Sequence, residues 1–163
     1  MKINIITTGG TIDKIYFDAK SDYQVGDPVI GELLKRMEVG FEFEVTSVLR
    51  KDSLDLTDDD RQLIVDQVKN CDSDYVLVTH GTDGMVETGK WLREQVPEKH
   101  ILMTGALQPA IFRETDAIFN IGCALGALQA VQPGVYIAMN GQLFDATRVV
   151  KNVAANRFEP VNP

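Results

Sequence analysis

Two short segments rich in glycine and hydroxyl side chains each follow an apolar run in this sequence. Residues 7–14 read TTGGTIDK, and residues 78–85 read VTHGTDGM. In the first segment, Gly9 and Gly10 allow a ligand to approach backbone N–H groups closely, and Thr11 places a hydroxyl beside that ligand. Such a turn could hold a phosphate, or it could present a nucleophilic hydroxyl whose oxyanion is stabilised by backbone donors.

The second segment favours a cation, rather than a phosphate, as the bound group. Asp83 follows Thr82, and a carboxylate inside a phosphate pocket would repel the ligand. The α-ammonium of an amino acid is one suitable cation. Lys151 is another, if the chain returns beneath this turn after the last strand, and it could then act as a base for a hydroxyl.

The nucleotide-binding glycine motifs G-x-x-x-x-G-K-[ST] and G-x-G-x-x-G are both absent from the first segment. A flavodoxin-like loop rich in threonine and glycine stays open as an alternative, in which the chain would bind FMN or a similar phosphate. Flavin sites favour flat rings at the loops, whereas Trp91, the sole tryptophan, falls in the middle of a predicted helix. We expect Trp91 to pack in the core.

Alternating strands and helices must position these segments. Apolar runs with β-branched residues predict strands at 2–7, 43–49, 74–80, 100–104 and 134–139. Helical spacing of apolar residues predicts helices near 57–70, 84–96 and 115–130, and Pro28 predicts the first turn of a helix that runs to about Met37. This alternation indicates a three-layer α/β/α fold with a flavodoxin-like, mainly parallel sheet in the strand order 2-1-3-4-5.

This strand order brings the two segments together. Ligands of open parallel sheets bind at the carboxyl ends of the strands, where the strand order reverses. The first and third strands are neighbours there, so the turns that begin at Thr8 and Thr79 are expected to form two walls of one pocket. Residues 13–27 form a long irregular segment of the kind that often acts as a lid. Past residue 140, the short strand-like QLFDA precedes a polar tail, so we expect a single domain over residues 1–163.

Charge and hydropathy exclude several classes of partner. A formal net charge of -8 argues against nucleic-acid binding, because that affinity comes mostly from clustered lysine and arginine. No apolar run approaches the length of about 20 residues that a membrane span requires. The N-terminus MKINII lacks the apolar core of a signal peptide, which predicts a cytoplasmic protein. Neither Cys71 nor Cys123 has the spacing of a metal site, so no metal is expected.

Four segments of the chain resemble the bacterial-type L-asparaginases, in the same order and at similar separations. They are TTGGTID, VTHGTDGMVET, ILMTGALQP and MNGQLFDATRVVKN, and the match spans nearly the whole chain. The first two together are very specific. The resemblance implies an enzyme that hydrolyses the side-chain amide of asparagine, and sometimes of glutamine, through a threonine nucleophile and an acyl-enzyme, without a metal or an organic cofactor.

The resemblance also implies roles for individual residues. Thr11 matches the nucleophile, and Tyr23 matches a lid tyrosine that approaches the nucleophile and helps to activate it. The expected catalytic residues are Thr11, Tyr23, Thr82, Asp83 and Lys151, and the expected substrate-binding residues are Gly10, Ser53, Asp83 and Ala106. Among the latter, Ser53 would hold the substrate α-carboxylate, Asp83 the α-ammonium, and the backbone of Ala106 the reacting amide.

The chain departs from the family pattern in two respects. Leu54 stands where longer members carry a glutamine that contacts the substrate. The usual chain also has a smaller C-terminal domain that lends polar residues to a neighbouring active site, and this sequence ends before that domain. We therefore expect catalysis with weaker substrate capture, seen as a higher KM. A catalytically silent amino-acid-binding domain is a further alternative, and family members lead us to expect a homodimer or homotetramer.

Overall fold

A six-stranded sheet forms the centre of the protein in the computed structural model, which describes residues 1–161. In chain order the strands are β1 (Lys2–Gly9), β2 (Lys14–Phe17), β3 (Asp22–Val25), β4 (Glu42–Lys51), β5 (Tyr75–Thr79), β6 (His100–Thr104), β7 (Gly134–Met139), β8 (Gln142–Asp145), β9 (Val149–Asn152) and β10 (Arg157–Pro160). The helices are α1 (Ile30–Arg36), α2 (Asp58–Lys69), α3 (Met85–Gln95) and α4 (Ala117–Leu128). Short 3-10 helices cover Thr11–Asp13, Asp18–Lys20 and Ser53–Asp55.

The order of strands in the central sheet is β4-β1-β5-β6-β7-β8. The first five are parallel, and β8 adds an antiparallel edge strand. The predicted order 2-1-3-4-5 is therefore confirmed. The register aligns Thr7 of β1 with Thr79 of β5, and Thr79 with Thr104 of β6. Strands β5 and β6 consequently end at the same level, β1 continues two residues further to Gly9, and all three send their following turns to one edge of the sheet.

Helices cover both faces of this sheet because its central strands are apolar on both sides. In β5, Val76 and Val78 pack in one cluster, whereas Leu77 points to the other. The first cluster contains the large buried apolar residues of α2 and α3, and the second contains the buried apolar residues of α1 and α4. This arrangement is the three-layer α/β/α fold expected from the sequence. Trp91 packs against the first cluster, as predicted.

Helix α2 begins where the sequence has a strong start signal. The Thr57 hydroxyl accepts a hydrogen bond from the backbone N–H of Asp60 at 3.2 Å, and the Asp60 carboxylate accepts one from the N–H of Thr57 at 3.0 Å. These reciprocal bonds form a capping box. The acidic run at residues 55–60, DLTDDD, therefore caps this helix and places acidic side chains in its first turn.

Three details of the predicted organisation were wrong. Residues 13–27 are not irregular, because β2 and β3 pair as an antiparallel hairpin in which Tyr16 lies opposite Tyr23. Helix α1 begins at Ile30 rather than at Pro28, since the N–H of Val29 bonds to a side chain outside the helix. The polar tail contains a second hairpin, β9–β10.

Within residues 1–161, no helix is long and apolar enough to span a membrane.

Candidate active site

The turn after β1 lies directly against the turn after β5. Gly10 has a φ of 86°, and a Cβ atom added there would lie 2.6 Å from both the Cα and the N of Gly81. The N–H of Gly10 also donates a hydrogen bond to the carbonyl of Lys51, at the end of β4, at 3.0 Å. Only glycine allows this backbone conformation and this close approach. Thr11 and Thr82 each follow one of these two glycines, so both hydroxyls flank one backbone contact.

Ser53 lies on the other side of the Gly81 turn. It is buried, and its Oγ accepts a hydrogen bond from the N–H of Gly84 at 3.0 Å. A Cβ at Gly81 would lie 2.6 Å from this Oγ. Because the hydroxyl oxygen is occupied as an acceptor, its hydrogen is free to donate to a ligand. Leu54, the next residue, is exposed to solvent.

Lys151 reaches the second turn from β9. Its Nζ donates hydrogen bonds to Thr82 Oγ1 at 2.7 Å and to Asp83 Oδ1 at 2.5 Å. The Lys151 side chain is 10% exposed, and that of Asp83 is 35% exposed. The lysine points inward because Val149, two residues earlier on the same face of β9, is buried in the apolar cluster that contains Met85. The Lys151 amine is therefore held on a hydroxyl and a carboxylate at the edge of the sheet.

His80 supports the second turn from inside the protein. The residue is fully buried, and its Nδ1 lies 2.7 Å from the carbonyl oxygen of Gly81, which can only accept a hydrogen bond. Nδ1 is therefore protonated, and Nε2 accepts from the Thr88 hydroxyl at 2.8 Å. Burial lowers the pKa of His80 to about 4, despite the opposing hydrogen bond to Gly81. The imidazole is thus neutral near pH 7, and it fixes the turn rather than exchanging protons there.

The turn after β6 carries Ala106, which is buried. A Cβ at the preceding Gly105 would overlap the carbonyl oxygen of His80, so this turn also packs closely on the second one. The Asp116 carboxylate accepts hydrogen bonds from the N–H groups of Leu107, at 2.9 Å, and Gln108, also at 2.9 Å. These bonds fix the loop that follows Ala106, and its backbone therefore lies in a defined position at the carboxyl edge of the sheet.

Asp13 fixes the turn that carries Thr11. Its Oδ1 accepts a hydrogen bond from the N–H of Val29 at 3.1 Å, just before α1. Its carbonyl accepts another from the N–H of Gly26 at 2.8 Å, at the end of the β2–β3 hairpin. Burial raises the pKa of the Asp13 carboxyl to about 6, although the Val29 N–H and the charge of Arg50 act in the opposite direction. A single side chain thus joins the Thr11 turn to α1.

Tyr23 lies on β3, and its side chain is 43% exposed. Its ring packs edge-on against the rings of Tyr16, with centroids 5.4 Å apart, and Phe112, with centroids 5.7 Å apart. The hairpin therefore contacts the loop that follows Ala106. These contacts place Tyr23 in an aromatic cluster over the carboxyl edge of the sheet, and its part in catalysis stays a prediction.

The sequence model described as "Asparaginase, N-terminal" matches residues 2–162. The chain belongs to the asparaginase family. It is 28% identical over 173 residues to an L-asparaginase from Thermococcus kodakarensis, covering 99% of this chain and 52% of that protein. It is 30% identical over 172 residues to L-asparaginase 2 of Escherichia coli, covering 98% and 49%. The solved structure of the thermostable L-asparaginase from Thermococcus kodakarensis superimposes with a TM-score of 0.87 and 26% identity, covering 100% of this chain and 52% of that one.

The chain therefore spans about half the length of the curated asparaginases that it matches. Its site residues fall into two groups. The turns that carry Thr11, Ser53, Thr82 and Ala106 meet at one edge, and Lys151 and Asp83 complete them. Tyr23 is instead held by aromatic contacts. No cluster of three or more histidine, cysteine, aspartate or glutamate side chains among the described residues could hold a metal ion.

Several residues support this site from outside the predicted set. The place of His80 at a strand end predicts a packed or backbone-bonded histidine rather than a proton shuttle, and its hydrogen bond to the Gly81 carbonyl agrees with that prediction. Two other supporting residues were not foreseen. Asp116 precedes α4 and has the pattern of a helix cap, whereas its carboxylate bonds to the loop before it. Asp13 carried no signal at all beyond its place after Thr11.

The buried carboxyl of Asp13 predicts a specific effect of pH on stability. Its pKa is about 6 in the folded protein and 3.8 in the reference state, so the folded protein holds the proton more tightly between these values, and stability falls as pH rises through this window. In Asp13→Asn, the side-chain amide oxygen can still accept the hydrogen bond from the Val29 N–H, and the amide does not ionise as the pH rises. The stability of the variant relative to the native protein should rise by about 2 kcal/mol from about pH 4 to about pH 7.

Urea unfolding of both proteins across this range measures the difference directly, because all other carboxyl groups titrate alike in the two proteins. A difference in unfolding free energy that does not change with pH would contradict the raised pKa of Asp13.

Proposed function

We propose that this chain hydrolyses the side-chain amide of L-asparagine to L-aspartate and ammonia, with Thr11 as the nucleophile. The observation that carries the proposal is the placement of Lys151 Nζ, 2.7 Å from Thr82 Oγ1 and 2.5 Å from Asp83 Oδ1, beside the turn that holds Thr11. A hydroxyl for attack and a hydroxyl in contact with an amine, held on adjoining turns, suit acyl transfer. Membership of the asparaginase family supports the same reaction.

Substrate binding uses groups with unused hydrogen-bonding capacity. The Ser53 hydroxyl, which already accepts from Gly84, donates its hydrogen to the substrate α-carboxylate. Asp83 is bonded to Lys151 through Oδ1, and its remaining lone pairs accept from the α-ammonium. This orientation directs the side-chain amide toward the Gly10 turn, where the backbones of Gly10 and Ala106 flank it.

In the first chemical step, the Thr11 oxygen attacks the amide carbonyl carbon. Tyr23, on the hairpin over the site, approaches the Thr11 hydroxyl and helps to remove its proton. Backbone N–H groups stabilise the negative charge that develops on the carbonyl oxygen. The carbon–nitrogen bond then breaks, the nitrogen gains a proton and leaves as ammonia, and the acyl group stays on Thr11 as an ester.

The Thr82–Lys151 pair supplies proton transfer to this step. Because Lys151 Nζ donates to the Thr82 oxygen, the hydrogen of the Thr82 hydroxyl is free to point toward the leaving nitrogen. A proton can pass from Lys151 through Thr82 to the nitrogen, and the same chain can accept a proton from water when the ester is hydrolysed. The hydrogen bond to Asp83 holds Lys151 Nζ in line both before and after it gives up this proton.

The two alternatives have less support. An FMN- or phosphate-binding module would place its phosphate beside the carboxylate of Asp83, where like charges repel, and flavin binding has no support from the family match. A catalytically silent amino-acid-binding domain would keep the same pocket. Turnover is the only property that separates it from the enzyme.

The deciding experiment is ammonia release from L-asparagine and, separately, from L-glutamine by the purified 163-residue chain. We expect release from asparagine, with a high KM, and release from glutamine alone would contradict the proposed substrate. Hydroxylamine added to the reaction should divert the acyl-enzyme to aspartyl hydroxamate, which is detected by its iron complex. Aspartate binding without ammonia release would contradict the proposal, and ammonia release without hydroxamate would contradict the acyl-enzyme.

We also propose that residues 1–163 form one asparaginase N-terminal-like catalytic domain and that it assembles as a homodimer or homotetramer. Light scattering on the purified chain measures the mass in solution, and a monomer at all concentrations would contradict the assembly. The cytoplasmic location expected from the sequence stays a prediction.

A further inference from the structure

A cavity of about 590 Å³ lies next to the loop that follows Ala106, lined by Gln108, Phe112, Arg113 and Glu114. This volume falls within the range of about 300 to 1,000 Å³ that small-molecule sites occupy. The release of ammonia requires only a small fraction of such a space. The cavity is therefore suited to a larger group than the product of asparagine hydrolysis.

The loop that lines the cavity is joined to the Thr11 turn and to the β2–β3 hairpin. The N–H of Ala110, within the same loop, donates a hydrogen bond to the carbonyl of Ile12 at 3.0 Å, and Ile12 follows Thr11. Phe112 forms the contact with Tyr23 on the hairpin. The lining loop therefore contacts both the turn that carries Thr11 and the hairpin that carries Tyr23.

The chemistry of the lining matches an amino acid. Arg113 and Glu114 are exposed, and neither takes part in a salt bridge among residues 1–161. The guanidinium suits a carboxylate through two parallel hydrogen bonds. The Glu114 carboxylate suits an amine that becomes an ammonium on release, and the ring of Phe112 suits an apolar side chain. A cation, an anion and an aromatic ring thus line one open cavity on a loop that contacts the Thr11 turn.

Resting on the proposed function, we propose that this site also hydrolyses β-aspartyl dipeptides, in which the side-chain amide nitrogen of the aspartyl residue carries a second amino acid. The aspartyl half binds as asparagine does, and the second amino acid occupies the cavity with its carboxylate on Arg113. Thr11 attacks the β-carbonyl carbon, the carbon–nitrogen bond breaks, and the protonated nitrogen leaves as the amino group of the free amino acid. Water then hydrolyses the ester to aspartate, so one water is consumed for each bond broken.

The test uses three substrates: L-asparagine, β-aspartyl-leucine, and the same dipeptide with its carboxylate converted to an amide. Released leucine or leucinamide is measured by chromatography. The native chain should cleave the acid dipeptide with a kcat/KM about tenfold above that of the amidated one, because a charge-assisted hydrogen bond is lost in the latter. In Arg113→Gln this preference should vanish, whereas it should persist in the control Arg36→Gln, an exposed arginine at the end of α1.

The outcomes separate this inference from the proposed function. Ammonia release from asparagine without cleavage of either dipeptide would overturn the inference and leave the proposed function intact. Cleavage with an equal preference for acid and amide in the native chain would overturn the assignment of Arg113. Absence of all three reactions would contradict the proposed function and the inference together, and dipeptide cleavage without asparagine hydrolysis would support the inference alone.

Discussion

The Thr11→Ala variant is expected to lose about 10³-fold or more of kcat on asparagine, because the substitution removes the oxygen that is proposed to form the acyl bond. Its stability should change little. Thr11 is half-buried at the start of a 3-10 helix that Asp13 and Gly10 hold through backbone and carboxylate contacts, none of which needs the Thr11 hydroxyl. A change of the unfolding free energy within about 1 kcal/mol is expected.

Thr11→Ser is the matched variant for this test. It keeps the nucleophilic oxygen and removes one methyl group, so measurable turnover and hydroxamate formation should persist, both of which Thr11→Ala lacks. Ammonia release and thermal unfolding of the three proteins provide the comparison. Native-like kcat in Thr11→Ala would move the nucleophile elsewhere, with Thr82 as the nearest hydroxyl on the adjoining turn.

The fold was predictable because its strands carry strong local signals. The β-branched runs of β1, β5 and β6 mark buried parallel strands, and capping residues such as Thr57 mark where α2 begins. Parallel strands place their carboxyl ends at one edge, and this rule alone brought Thr11 and Thr82 together. The β2–β3 hairpin was missed because each of its strands is only four residues long and gives a weak sequence signal. An exposed two-stranded hairpin also depends for its stability on contacts with the rest of the protein, which the local sequence does not reveal.

The supporting groups of the site were less predictable than its hydroxyls. His80 and Asp116 act through hydrogen bonds to backbone carbonyls and N–H groups, and these partners are defined only when the turns are packed. The position of Lys151 rested on the family resemblance, since the sequence pattern gave only a polar tail. In the structure, the β9–β10 hairpin sets the position of Lys151. Val149 and Phe158 bury one face of this hairpin in the core, and Lys151 lies on the same face and therefore points inward.

The Lys151→Met variant is expected to reduce kcat by about 10²- to 10⁴-fold, the range that a positioned proton donor or acceptor contributes. Methionine has a similar length and is apolar, so it can fill the space of a side chain that is only 10% exposed. Asp83 would lose its partner but remains partly in water, so the cost to stability should be about 1 kcal/mol or less. Lys90→Met, at an exposed position of α3, is the control for loss of positive charge.

Because Lys151 is proposed to act through Thr82, the two side chains should not contribute independently. Thr82→Ala should lower kcat by a similar factor, and the double variant Thr82→Ala/Lys151→Met should be little worse than either single variant, since each substitution breaks the same proton path. Ammonia release at saturating asparagine measures the four rates of this cycle. If the losses of kcat in the two single variants multiply in the double variant, Lys151 and Thr82 act separately. Lys151 would then act by positioning Asp83 for substrate binding, and Lys151→Met would change KM more than kcat.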